Sequence, residues 1–245
     1  MRKIHVDDIV ATLRQLCIDA NIEIRPDRVE AYHRALEQEE SETGREVLQQ
    51  LILNAEAAKE QRIPFCQDTG YAVVCVELGQ NVHITGGSFV DALNEGVRQG
   101  YQQGFLRKSI VHNVLERINT GDNTPAPPGR IIGSAGPTTA SRMDPFTPML
   151  IERGLKGMIG KGRRSERVGQ TAMEHGCVYF GSVEGTAALL SGCIQHAEVV
   201  AVEDLGPEAI YRLTVTDFPA IGVNDLHGRD LYEEGRNLYR RLRAG

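Results

Sequence analysis

The stretch from Arg130 to Lys161, RIIGSAGPTTASRMDPFTPMLIERGLKGMIGK, restricts the fold more than any other part of the sequence. It opens on a short apolar strand signal, Ile131-Ile132. A turn of small residues follows, Gly133-Ser134-Ala135-Gly136-Pro137, then two hydroxyls, Thr138 and Thr139, and a cation, Arg142. Strand, glycine turn and helix in that order leave backbone N–H groups free at a helix start, an arrangement suited to an anion. Asp144-Pro145 predicts that helix start, with Asp as N-cap and Pro at the first helical position. Phe146, Met149 and Leu150 have helical spacing. Leu155 to Ile159 predicts the next strand, with Lys161 just past its end. Thr138, Arg142 and Lys161 then converge at the C-terminal edge of a sheet, where α/β proteins commonly bind ligands. The plain alternative is a glycine-rich turn with solvated basic residues, because a lone glycine-rich loop is a weak signal.

A chain of 245 residues has room for one large domain or two small ones. Its net charge of −6 argues against wholesale nucleic-acid binding, so an anionic ligand must be held by local cations. Trp is absent and aromatics are sparse, which leaves no platform for base stacking. Neither a signal peptide nor a membrane span is legible, and a cytoplasmic protein without a membrane partner is expected. The five cysteines, Cys17, Cys66, Cys75, Cys177 and Cys193, are scattered and form no CxxC pair. That pattern fits reduced thiols rather than a disulfide framework.

Apolar periodicity predicts helices over residues 4–20, from Pro26 to Glu40 and over 44–60, a helical N-terminal subdomain. Tyr71 to Glu77 reads as a buried strand that Val82 to Ile84 extends or pairs with. Ser88 is the N-cap of a helix from Phe89 to Gly104, and Val111 to Ile118 reads as another helix. Residues 119–129, dense in Pro, Gly, Asn and Asp, form the strongest linker candidate. This places a domain boundary between residues 1–124 and 125–245. The second part alternates strands and helices: helix 165–174, strand 177–180, helix 186–191, strands 197–201 and 210–215, and a terminal helix 228–243.

Cys66-Gln67-Asp68-Thr69-Gly70 packs a soft metal ligand, an amide and a carboxylate into one loop. A thiolate is a natural ligand for cluster iron, and a neighbouring carboxylate suits proton transfer. The alternative is a buried free cysteine, since such a thiol is commonly a small core residue. Arg107, after a Gly-Phe-Leu turn, either presents its guanidinium to a carboxylate or is a solvated helix start. Cys75, Cys177 and Cys193 lie in apolar runs and read as core.

Taken together, IPFCQDTG, NVHITGG, GFLRKSIV and INTGDNTP resemble the α portion of class I fumarate hydratases. GRIIGSAGPTTASRMDPFTP, MIGKG, VEDLGPEAIYRLTV and DFPAIGVND resemble their β portion. This iron–sulfur hydro-lyase family also includes L-tartrate dehydratases. The resemblance implies reversible addition of water to fumarate to give malate, a [4Fe–4S] cluster held by three cysteines with one iron open, a small dicarboxylate substrate and a homodimer. It matches Cys66 to the first cluster ligand. Gln67, Asp68, Arg107, Arg142 and Lys161 match substrate-binding residues, and Thr138 the catalytic base, assisted by Asp68. It further implies mixed α and β structure: a helix-rich N-terminal domain with a small sheet, then a β/α swivelling-type C-terminal domain.

The sequence departs from the family where Pro125-Ala126-Pro127-Pro128 joins the two portions directly. The intervening family segments carry the other two cluster cysteines and a further substrate arginine. None of Cys17, Cys75, Cys177 or Cys193 matches those positions. Three expectations stay open: a fumarate hydratase or an L-tartrate dehydratase completed by other ligands, a chain completed by a complementing subunit, or a non-catalytic dicarboxylate-binding remnant.

Overall fold

The computed structural model describes residues 2–107 and 131–244. The predicted helix 111–118, the linker 119–129 and the boundary at 124/125 lie outside the described residues. The chain is mixed α and β, helix-rich with small sheets, and it divides into two compact units. Among the described residues no helix is long and apolar enough to cross a membrane.

The first unit comprises residues 1–40, 44–135 and 185–217. Strand β1 (Arg2–His5) runs into α1 (Val6–Ile22), followed by α2 (Pro26–Gln38) and α3 (Glu42–Gln61). Next come β2 (Val82–Thr85) and α4 (Phe89–Gln103), with the predicted Ser88 cap: its Oγ accepts the Asp91 N–H. β1 pairs in parallel with β2, Arg2 opposite Val82. α4 lies against α1 through Gly96 and Gly100. A Cβ on Gly100 would stand 2.7 Å from the Cys17 Cβ, so only glycine permits this approach. Leu13, Cys17, Tyr101 and Leu106 form the core between them.

Two expectations are corrected here. Tyr71 to Glu77 forms no strand, and Tyr71 and Val73 are 73% and 75% exposed. The strand propensity is present, but β2 takes β1 as its partner, and an apolar run without a ladder partner does not hold as a strand. Likewise Ile131-Ile132 is irregular, with Ile131 exposed.

The second unit comprises residues 41–43, 136–184 and 218–245. Its sheet has the order β3 (Gly157–Gly160), β4 (Val178–Gly181) and β7 (Ile221–Asn224). The β3–β4 pair is parallel, joined through α6 (Glu166–His175), and β7 is antiparallel to β4. Ser165 caps α6 at one end. Gly176, at φ +67°, closes it at the other in the left-handed conformation that glycine adopts without penalty. Ile151, Val168, Ala172 and Cys177 pack together between helices and sheet. The helix start predicted at Asp144-Pro145 is displaced. A short 3-10 turn covers Ala140–Met143, and α5 runs Thr147–Glu152. Asp144 is drawn off by Arg164 and the Ser165 N–H, so its carboxylate is not available as a cap. The unit ends with α8 (Leu231–Ala244), while α7 (Ala187–Gly192) and the antiparallel pair β5 (Ile194–Ala201) and β6 (Ile210–Val215) belong to the first unit.

Candidate active site

In the first unit the IPFCQDTG loop is held by its backbone. The Phe65 N–H donates to the Asn21 carbonyl at 3.0 Å, and Ser134 Oγ donates to the Pro64 carbonyl at 2.6 Å. Asn54, fully buried on α3, is the main anchor. Its Nδ2 donates to the carbonyls of Phe65 (3.0 Å) and Gly185 (2.7 Å). Its Oδ1 accepts the N–H groups of Ala188 and Leu189, each at 3.0 Å. One side chain thus caps α7 from another helix and pins the peptide next to Cys66. All four hydrogen-bonding positions of the amide are used, the condition for a buried polar group to stabilise a fold. The Ala187 N–H adds a bond to the Phe65 carbonyl at 3.2 Å.

The loop's exit is fixed as well. Thr69 Oγ1 donates to the Arg107 carbonyl at 3.0 Å, and the Tyr101 hydroxyl lies 3.1 Å from the Thr69 carbonyl. Burial pushes the Tyr101 phenol up, helped by the nearby Cys17 and Asp68. Asp68 Oδ1 accepts the Gly70 N–H at 3.1 Å in a tight turn, Gly70 taking φ +59°. The half-buried Cys66 thiol points at Gln67 Oε1, 3.6 Å away. Cys66, Gln67, Asp68 and Arg107 are therefore brought together on one short scaffold.

The other thiols go elsewhere. Cys17 and Cys177 are core residues, and burial raises both. Cys193 is raised first by burial and then by Asp217, and its Sγ faces the Leu189 and Asp217 carbonyls. Cys75, read from sequence as core, is exposed on the irregular stretch after the loop. All five cysteines are among the described residues, and these hold no group of three His, Cys, Asp or Glu side chains able to bind a metal. The residues present do not fit a three-thiolate cluster.

In the second unit, residues 138–140 run beside the end of β3. Thr139 and Lys161 form a parallel bridge, the Lys161 N–H donates to the Thr138 carbonyl at 3.3 Å, and the Ala140 N–H donates to the Lys161 carbonyl at 2.9 Å. Gly160 makes this approach possible, since a Cβ there would stand 2.9 Å from the Ala140 Cβ. Arg142 sits in the 3-10 turn that follows, its N–H on the Thr139 carbonyl at 3.3 Å. Thr138 and Arg142 are exposed, whereas Lys161 is half-buried and ion-paired with Glu184. Thr138, Arg142 and Lys161 thus gather at the carboxyl edge of the parallel β3–β4 pair.

Beneath this edge lies a polar network. Buried Arg164 donates through Nε to Asp144 Oδ1 (2.7 Å) and through Nη2 to Thr147 Oγ1 (2.5 Å), and its guanidinium stands 5.6 Å from the Tyr179 ring centroid. The Tyr179 hydroxyl donates to the Gly162 carbonyl at 2.8 Å. Burial, then the Tyr232 hydroxyl, pushes the phenol up to about 12, against the lowering effect of Arg164.

Asn54, Arg164 and Glu184 escaped the sequence reading. Asn54 left a signal: an amide on the same helical face as Leu51, Ala55 and Ala58. Nothing in Gly162-Arg163-Arg164-Ser165 tells which arginine turns inward.

Comparison with known families gives the decisive observation. The profile of the family described as fumarate hydratase (Fumerase) matches residues 10–128, and that of the fumarase C-terminus matches residues 120–235. The chain belongs to the class I fumarate hydratase family. Within the family it is 37% identical to the aerobic class I fumarate hydratase of Escherichia coli K12 over 145 residues, 52% of this chain and 26% of that protein. Over 110 residues, 44% of this chain and 20% of the relative, it is 43% identical to the anaerobic enzyme of the same strain. A provisionally named L(+)-tartrate dehydratase subunit alpha of Methanocaldococcus jannaschii is 29% identical over 124 residues, 49% of this chain and 42% of that subunit. The chain thus aligns with between a fifth and about a quarter of the length of its E. coli relatives.

Proposed function

We propose that the chain forms the dicarboxylate-binding part of a hydro-lyase that adds water reversibly to fumarate, giving malate. What supports this reading is the backbone bridge of Thr139 with Lys161, whose N–H also donates to the Thr138 carbonyl, so that Thr138, Arg142 and Lys161 lie along one strand edge. A dicarboxylate needs two such cations, and the C–H beside its carboxylate is a poor acid that yields its proton only to a placed base.

In this reading Thr138 takes that proton from malate and returns it to carbon in the hydration direction, with Asp68 assisting. A threonine hydroxyl is a weak acid, and the positive potential of Arg142 and Lys161 is what favours its role as base. Family resemblance adds Gln67, Asp68 and Arg107 to the proposed binding set.

Family resemblance implies a [4Fe–4S] cluster, and this chain offers Cys66 alone toward it. The proposed assembly therefore takes its remaining ligands from a complementing subunit, a homodimer being the other arrangement the family suggests. Exposed Tyr71, Val73, Val74, Val76 and Leu78 support a polypeptide partner. L-tartrate is the alternative substrate, supported by the Methanocaldococcus relative. A second reading, a non-catalytic dicarboxylate-binding protein, is favoured by the lack of a three-thiolate group among the described residues.

The test is iron and acid-labile sulfide content after anaerobic reconstitution, with fumarate, malate and tartrate turnover on the same sample. Activity with a stoichiometric cluster supports the hydro-lyase. Succinate binding that survives without cluster or turnover, and is lost in Arg142→Ala, supports the second reading. If Arg142→Ala binds succinate as well as the parent, the anion site is wrong.

A further inference from the structure

Of the two cations at the strand edge, one is already engaged. The Lys161 ammonium is ion-paired with Glu184, and the pair is asymmetric: the lysine side chain is 18% exposed and the glutamate 68%. Among the described residues the Arg142 guanidinium makes no ion pair. Glu184 lies three residues past the end of β4, and Lys161 directly follows β3. The Ser182 N–H donates to the Gly160 carbonyl at 2.8 Å, which keeps the two strand ends side by side. A half-buried ammonium needs a counter-charge, whereas an exposed carboxylate loses little by turning into water. Gly185, at φ +79°, follows Glu184 and gives the turn its shape.

We propose that Glu184 is a tethered stand-in for a substrate carboxylate, holding the Lys161 ammonium until a dicarboxylate displaces it. The inference rests on the reading of Lys161 as a carboxylate-binding residue. Any ligand of Lys161 must first displace Glu184, and its apparent affinity falls by the fraction of molecules in which the pair is closed. A monocarboxylate that reaches Lys161 exchanges one carboxylate for another and gains almost nothing. A dicarboxylate that also reaches Arg142 gains a second ion pair, so it binds despite the exchange. Glu184 thereby sets an affinity threshold that single carboxylates fail, a negative element in the specificity of the site.

The experiment is calorimetric titration of succinate and propionate into the full chain and its Glu184→Gln, Glu184→Asp and Lys161→Ala variants. Glu184→Gln is expected to bind succinate about fivefold tighter, the factor a well-formed surface ion pair withholds, and to bring propionate into a measurable range. Glu184→Asp, which keeps the charge, should stay near the parent. The gain from Glu184→Gln should vanish in a Lys161→Ala background, where there is no ammonium to release. If Lys161→Ala weakens succinate binding but Glu184→Gln does not tighten it, the stand-in role is overturned and the site reading stands. If Lys161→Ala binds like the parent, or if neither parent nor Glu184→Gln binds succinate, the site reading falls and the inference with it.

Discussion

Removing the Asn54 side chain leaves the Phe65 and Gly185 carbonyls and the N–H groups of Ala188 and Leu189 without this partner. Each buried group left unsatisfied costs about 1–3 kcal/mol, and local rearrangement recovers part of the sum. Asn54→Ala is expected to lose about 2–4 kcal/mol in urea unfolding. Asn54→Asp tests the cause: it keeps the acceptor toward α7 but loses both donors, so it should remain clearly below the parent. Tyr179 gives a pH signature. Its folded phenol is raised to about 12 from the ordinary tyrosine value of about 10, so below pH 10 both states are protonated and the shift has no effect. Between about pH 10 and 12 the unfolded chain loses that proton while the folded chain keeps it. Stability falls through this window, by about 2–3 kcal/mol at its end. In Tyr179→Phe this contribution to the slope of unfolding free energy against pH should be gone, measured as the difference between the two curves.

Two close approaches between elements depend on glycine. At α1–α4 the Gly96-x-x-x-Gly100 spacing lets the helices meet where Leu13 and Cys17 stand. Gly100→Ala gains about 1 kcal/mol of helix propensity but drives a methyl into the Cys17 Cβ, and overpacking of this kind costs about 1–3 kcal/mol. The expected result is net destabilisation in thermal or urea unfolding, although alanine is the better helix former. A midpoint raised above the parent would show that the helices separate without loss. At the strand edge, Gly160→Ala meets the Ala140 Cβ and displaces the 138–142 segment from β3. This variant should keep its helical circular dichroism yet bind succinate at least about tenfold more weakly, since a ligand anchored at Lys161 then fails to reach Arg142 in register.

The first unit exposes a run of large apolar side chains from Tyr71 to Leu78, and more on β5 and β6, including Val200, Ile210 and Tyr211. A two-stranded sheet is marginal alone, and exposed apolar area of this extent is what the proposed complementing subunit would cover. The chain alone is therefore expected to bind a hydrophobic dye, and Val73→Lys with Val76→Lys to reduce the fluorescence markedly without a change in circular dichroism. Much of the local structure was legible from residue order. The Ser88 cap, the helices of the first sixty residues, the β3–α6–β4 alternation and Lys161 at the strand end all depend on side chains acting within one or two turns of the backbone. The motifs that carry the family were legible for the same reason: CQDTG and GPTTASRMD are contiguous. Partner choice over distance was not. Tyr71 to Glu77 has strand-forming residues, but a strand exists only where another offers a ladder, and β2 pairs with β1. Asp144 has the chemistry of a cap, yet Arg164, 20 positions on, takes its carboxylate. Asn54 looks like a stray polar residue until Gly185, 131 positions away, arrives at its amide. The alphabet of the candidate site belongs to the sequence, whereas which charge meets Lys161 and which cysteine stays at the surface were decided by tertiary packing, because burial and pairing depend on chain segments that no local pattern brings together.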